Sequence, residues 1–277
     1  MTAPFRESLD VHFPESRMVT ATRYPYQASQ ITELAQEVPV AVVFNGTTAA
    51  VMMASPVDIH DFALGFAMTE GFIAGQVDIA DYEQVAHKAG IEARFWLKEA
   101  ALEHVSARRR AMMGPVGCGL CGIDSLEQVT RPLPCVVDRS LRIEADEVTL
   151  APEFLRDHQL LHDQTRSAHA AGFLMPGKGI VMAREDVGRH NALDKLMGAL
   201  IQAGINPVYG AVVMTSRVSL ELVQKTAAMG CPMLIAVSSP TAIAVELADQ
   251  ASITLVANAK RSECCVFTHE YRISTKR

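Results

Sequence analysis

Two cysteines three positions apart, Cys118 and Cys121, stand in GPVGCGLCGIDSLE (114–127), where Gly117, Gly119 and Gly122 separate and flank them. Three chemistries use such a pair. As half of a structural zinc site it needs two more ligands. The other cysteines, at 135, 231, 264 and 265, are isolated or adjacent, which leaves His169 and His190 to complete a set. As a disulfide oxidoreductase the pair should open a helix directly after a strand, whereas here it follows Gly114-Pro115, a helix stop. As a sulfur carrier, a thiolate attacks the outer sulfur of a donor persulfide and hands that sulfur to an acceptor. Glycine-rich backbone then has a use, since one thiol must meet two partners in turn. Arg108, Arg109 and Arg110, with the N-terminus of a helix capped by Asp124 or Ser125, favour a thiolate at neutral pH. Against this, such an arginine run is more often only a solvated helix face.

Other polar residues gather where a strand meets a helix. Glu185, Asp186, Arg189, His190, Asn191, Asp194 and Lys195 lie in one such run, and Ser216, Arg217 and Ser219 in another. Polar groups at these ends meet ligands in many α/β sheets, and they also serve as N-caps and i,i+4 pairs. Arg217 has the bidentate fork that suits phosphate. His169, in TRSAHAAG, is either a satisfied strand-edge histidine or a site residue.

The elements that position these groups fall into two patterns. PVAVVFNGTTAAVMMAS places two apolar runs around Asn45-Gly46, the dipeptide of a tight β-hairpin. Residues 58–73 carry Phe62, Leu64, Phe66, Ala67 and Phe72 on an approximately helical spacing, residues 93–99 read as a strand, and 101–113 as a helix. Residues 1–30 show no sustained period and predict a loosely docked arm, with order beginning near Glu33. Residues 131–152, rich in Pro and charge, predict a connection with at most one strand, and a subdomain boundary falls near 145. The divisions are thus an arm at 1–30, an α+β unit at 31–145 carrying the cysteine loop 114–123, and an α/β unit at 146–277. In the last, two strands flank the turn PGKG and a helix ends at Gly204; strands at YGAVVMTS, PMLIAVSS and ITLVA then alternate with helices, the last of them with Ser239 at its cap. Such alternation predicts a mixed or parallel sheet covered on both faces, with ligands outside the strands' carboxyl ends.

Composition excludes several classes. Of 277 residues 49% are hydrophobic and 20% charged, ordinary for a folded globular chain. A net charge of −6 argues against a general nucleic-acid binder. No apolar run reaches the eighteen or so residues that span a bilayer, and Arg6, Glu7, Asp10, Glu15 and Arg17 stand where a signal peptide is apolar. The expected location is the cytoplasm, whose reducing conditions leave the cysteines as thiols, ligands or core residues.

From Val38 to His269 the chain resembles the FdhD family, sulfur carrier proteins required for formate dehydrogenase activity. The resemblance is carried by VPVAVVFNG, ASPVDIHDFALGFAMTEGFI, GCGLCG, the His169 segment, EDVGRHNALDK, SRVSLELVQK, Gly230-Cys231-Pro232 and SPTAIAVELA. It implies a C-terminal half with a cytidine deaminase-like three-layer α/β/α fold and mixed sheet. It implies that a cysteine desulfurase loads sulfur on Cys118, assisted by Cys121, and that the sulfur passes to a molybdenum or tungsten bis-molybdopterin guanine dinucleotide cofactor of the formate dehydrogenase apoenzyme. By the same likeness His169, Glu185, Asp186, Arg189, His190 and Arg217, with Asn258, Ala259, Lys260, Arg261, Ser262 and Glu263, are expected at that cofactor. No metal of the protein's own is expected, and a homodimer is expected by analogy and by the frequency of symmetric dimers. The sequence argues against deaminase chemistry despite the fold: no His is followed two residues later by Glu, and no Pro directly precedes Cys118. The family usually has a small residue after the threonine where this chain has Arg166-Ser167, and Gly-Phe where it has Ala257-Asn258. The competing readings are a noncatalytic chaperone for cofactor or apoenzyme and a protein holding structural zinc at Cys118 and Cys121.

Overall fold

A computed structural model describes residues 5–9 (backbone only), 11–103, 105, 133–137, 140–261 and 263–275. Cys118, Cys121, the rest of the loop 114–123, and Ser262 lie outside the described residues, as does the expected helix at 101–113 beyond Val105.

The first unit is a five-stranded sheet in the order β1-β6-β7-β4-β5, formed by β1 (Phe5–Leu9), β4 (Val38–Phe44), β5 (Thr47–Ala54), β6 (Ile79–His87) and β7 (Gly90–Leu97). The β4–β5 hairpin turns at Asn45-Gly46, where both residues take positive φ (47° and 77°). The Asn45 side chain then accepts a hydrogen bond from the Leu97 amide at 3.0 Å, locking the turn to β7. Helix α1 (Ile59–Thr69) packs on this sheet around Phe44, Phe62, Phe72 and Phe95.

Residues 16–35 differ from the expected arm. β2 (Ser16–Arg23) pairs antiparallel with β3 (Ala28–Ala35) in an exposed two-stranded ribbon, and β1 pairs parallel with β6. The ribbon escapes a periodicity search because both of its faces are largely wet, so apolar and polar residues have no reason to alternate.

The second unit holds a six-stranded sheet in the order β10-β9-β11-β12-β13-β14. β9 (His169–Met175) runs antiparallel to β10 (Gly179–Asp186) and β11 (Ala211–Met214); β11, β12 (Met233–Ala236) and β13 (Thr254–Lys260) are mutually parallel; β14 (Glu263–Val266) returns antiparallel. Side chains alternate between faces. Ala211, Val213, Met233 and Ile235 pack with helix α2 (Ala145–Arg156), while Val212, Met214, Leu234 and Ala236 pack with α4 (Arg189–Gln202), α5 (Leu220–Ala228) and α6 (Ala242–Gln250). This is the expected three-layer α/β/α arrangement with a mixed sheet. A short helix α3 (Leu160–Thr165) lies between α2 and β9, and the two-residue strands β8 (Ile143–Glu144) and β15 (Ile273–Ser274) pair beside them.

Two local expectations need correction. Residues 145–156 form a full helix rather than a connection: Val148, Ala151 and Leu155 recur on one face and are wholly buried, and that burial outweighs Pro152 inside the helix. The cap of α6 is Thr241, whose hydroxyl accepts from the Ala244 amide, while Ser239 instead donates to Asn258.

The units are joined where α1 crosses α4. Gly65 and Gly198 meet the opposite backbone so closely that a Cβ on either would lie 1.7 Å from the Asp194 carbonyl oxygen or 2.0 Å from that of Asp61. In an exposed helix Gly→Ala stabilises by about 1 kcal/mol. Here the sign reverses, and Gly198→Ala is expected to lose about 1–3 kcal/mol by overpacking, read as a lowered thermal midpoint.

Candidate functional site

The carboxyl ends of β11, β12 and β13 open into a cavity of about 660 Å³, a volume that accommodates a small organic ligand. Thr215 follows β11, Val237 follows β12, and Lys260 and Arg261 close β13. The opposite wall comes from Glu153 and Arg156 of α2, Gln159 and His162 at α3, and the turn Arg166–His169 entering β9. Four permanent cations, Arg156, Arg166, Lys260 and Arg261, face one lining carboxylate, Glu153, from which Arg261 is 3.8 Å distant, and Asp163 of α3 pairs with Arg156 and lies 3.7 Å from Arg166, so the four cations outnumber the two carboxylates. A cavity so charged suits a polyanion, and arginine forks suit phosphate oxygens.

Local structure explains the aim of these groups. β13 breaks register between Ala257 and Lys260, with Asn258 at a φ of 52°, a conformation asparagine tolerates better than most residues. Such a bulge redirects the side chains that follow it, here Lys260 and Arg261. Arg166 ends α3 with a φ of 58°, the left-handed region that favours glycine. An arginine there costs about 1–2 kcal/mol of backbone strain, and strain of this kind persists where the side chain is needed. Burial, then the charges of Arg189 and His162, push the His169 pKa down, so its ring is neutral at neutral pH.

Among the residues singled out by sequence, Lys260, Arg261 and His169 line the cavity. Asn258 accepts from Ser239 at 2.8 Å, Ala259 is buried in the core, and Glu263 pairs with Lys260 across the β13–β14 turn. Glu185 accepts from the amides of Leu161 and His162 at 2.7 and 2.9 Å, capping α3 and so positioning His162. Asp186 faces the interior, where it accepts from the amides of Ser55 and Gly188, from Asn191, and from Lys195 at 2.8 Å. Asp194 binds Lys225 of α5 at 2.9 Å; Lys225 also reaches Glu70 at 2.8 Å and Thr69 at 3.0 Å. Burial works against the Lys225 charge, but Asp194 and Glu70 outweigh it and hold the ammonium above its usual range. Arg189 and His190 begin α4 next to the cavity, and Arg217 is exposed before α5. Arg156, Gln159 and His162 are cavity residues that the sequence pattern does not single out, and Arg166 is marked there only as standing where the family has a small residue, the local signal of its left-handed turn.

The sequence profile of the FdhD/NarQ family matches residues 35–274. This chain belongs to that family. It is similar to the sulfur carrier protein FdhD of Agrobacterium fabrum, with 47% identity over 92% of this chain and 94% of the relative. It is 44% identical to the protein of the same name from Bordetella bronchiseptica, over 89% of each. A solved structure described as a formate dehydrogenase accessory protein from Desulfotalea psychrophila superposes with a TM-score of 0.74 over 94% of this chain and 100% of the other, at 23% identity, which supports the shared fold. Among the described residues no helix is long and apolar enough to cross a membrane.

Proposed function

We propose that this FdhD/NarQ family chain is a sulfurtransferase of the persulfide-carrier type: it accepts sulfur from a cysteine desulfurase on Cys118 of its Cys-x-x-Cys pair. It then passes that sulfur to the molybdenum or tungsten bis-molybdopterin guanine dinucleotide cofactor destined for formate dehydrogenase, working in the cytoplasm as a homodimer. The observation that carries the reading is the cavity in which Arg156, Arg166, Lys260 and Arg261 converge at the carboxyl ends of the sheet. A guanine dinucleotide presents a pyrophosphate that matches this charge. The names of the relatives supply the sulfur-carrying half of the reading. The acceptor is a substrate, which the cavity holds by its phosphates while the thiol delivers sulfur.

The test is intact-protein mass measurement after incubation with a desulfurase and cysteine. A gain of one sulfur, about 32 Da, reversed by a thiol reductant, supports the reading, and no gain at any time in either the wild type or Cys121→Ala overturns it. The cavity has its own check. Arg166→Gly is expected to stabilise the fold by about 1 kcal/mol through relief of the left-handed arginine, yet to weaken guanosine diphosphate about tenfold through loss of a charged contact. Thermal unfolding and calorimetric titration read the two opposite effects.

A further inference from the structure

The starts of α4 and α5 meet beside the cavity and leave polar atoms unanswered. Ser219 precedes α5 at 8% exposure, and its hydroxyl is buried with no hydrogen-bond partner among the described residues. Nε of Arg189 and Nε2 of His190, the first two residues of α4, are likewise buried and unpartnered. The His190 ring stands 3.9 Å from the Glu221 carboxylate in the first turn of α5, which brings the two helix starts together but is too long for a hydrogen bond. Neither helix has a side-chain cap. Buried polar atoms are costly to leave dry, so three of them at one junction mark a place where a ligand completes the bonding.

The charges facing this nook select the ligand. Arg189 contributes one positive charge and Glu221 one negative, and Lys225 is neutralised by Asp194 and Glu70. Burial, followed by Arg189 and Lys225, holds the His190 pKa down to about 4, leaving a neutral ring. The remaining attraction comes from two helix N-termini, each roughly half a positive charge. That is too little for a phosphate dianion, which the cationic cavity suits better. It fits a monoanion, and the His190 and Glu221 side chains, each only 14% exposed, make the nook dry enough to favour a weakly hydrated one. A persulfide has this character: the second sulfur makes it more acidic than a thiol, so it is a soft monoanion at neutral pH. Asp186, three residues before Arg189, pairs in register with His169 of the cavity wall, which sets the start of α4 beside the ligand held there.

We propose that the junction of Arg189, His190 and Ser219 is a subsite for the persulfide anion in transit, adjacent to the phosphate-reading cavity. The inference rests on the sulfur-carrier reading above. Its probes are methanethiosulfonate and methanesulfonate, monoanions of like shape that differ by sulfur for oxygen, titrated calorimetrically into the whole chain with pyrophosphate saturating the cavity. The expected result is that the thiosulfonate binds about tenfold more tightly, and that Arg189→Gln and Ser219→Ala, each with an unchanged thermal midpoint, lose that preference. Equal affinity for the two anions, no binding of either, or a preference that survives in both variants overturns the subsite. Failure of the sulfur-carrier reading shows separately, as absence of the 32 Da gain.

Discussion

A Lys195→Met chain is expected to lose about 3–5 kcal/mol of stability, because the change strands a carboxylate in the core. Lys195 and Asp186 are both fully buried and 2.8 Å apart. The ammonium also donates to the carbonyls of Ser55 at 3.1 Å and Glu185 at 3.3 Å, while the carboxylate takes the amides of Ser55 and Gly188. Each charge therefore has a full set of partners, and removal of one leaves the other dry. Methionine fills the volume of the stem, which separates loss of charge from loss of packing. Thermal unfolding measures the drop. The double variant Asp186→Asn/Lys195→Met, which buries no charge, should be more stable than Lys195→Met alone; if it is equally unstable, packing rather than charge governs the position.

The same network explains how the two units hold one geometry. Ser55 follows β5 in the first unit, and Asp186, Asn191 and Lys195 belong to the second; Asn191 further donates to the Met53 carbonyl at 2.7 Å. Lys225 repeats the device one helix away through Glu70 and Thr69. With the close crossing at Gly65 and Gly198, these contacts fix α1 against α4. The start of α4 is thereby set relative to β9, and with it Arg189 and His190 relative to His169. Polar residues that read as a ligand site in sequence in part hold the frame that aims the ligand site.

What sequence reveals here follows from how locally each feature is determined. The β4–β5 hairpin is readable because Asn45-Gly46 needs positive φ and the flanking runs are apolar. The second unit is readable because short runs such as those of β11 and β12 are buried on both faces. α2 is not, since three buried positions and an internal proline leave little periodic signal. The site divides in the same way. Lys260, Arg261 and His169 stand at strand ends, where chain position alone suggests a ligand, whereas Arg156 and Arg166 reach the cavity only through the packing of α2 and α3. The inward turn of Asp186 depends on Ser55, 131 residues away, and no local pattern reports it.

Replacing Cys118 and Cys121 one at a time is expected to give opposite results when sulfur is loaded. If Cys118 is the carrier, its thiolate attacks the outer sulfur of the donor persulfide, a new S–S bond forms, and the donor thiolate leaves. Cys118→Ala then stays at its unmodified mass, a complete loss of loading. Cys121→Ala gains about 32 Da and keeps it. In the wild type the neighbouring Cys121 thiolate can attack the inner sulfur of the Cys118 persulfide, which expels hydrosulfide and joins the two cysteines. That product is about 2 Da lighter than the reduced chain, since two thiol hydrogens are lost and no sulfur is retained. The wild type should therefore show the added sulfur first and the lighter species later, on a timescale on which Cys121→Ala shows the added sulfur alone. A Cys118→Ala chain that still gains the 32 Da would move the carrier role to Cys121.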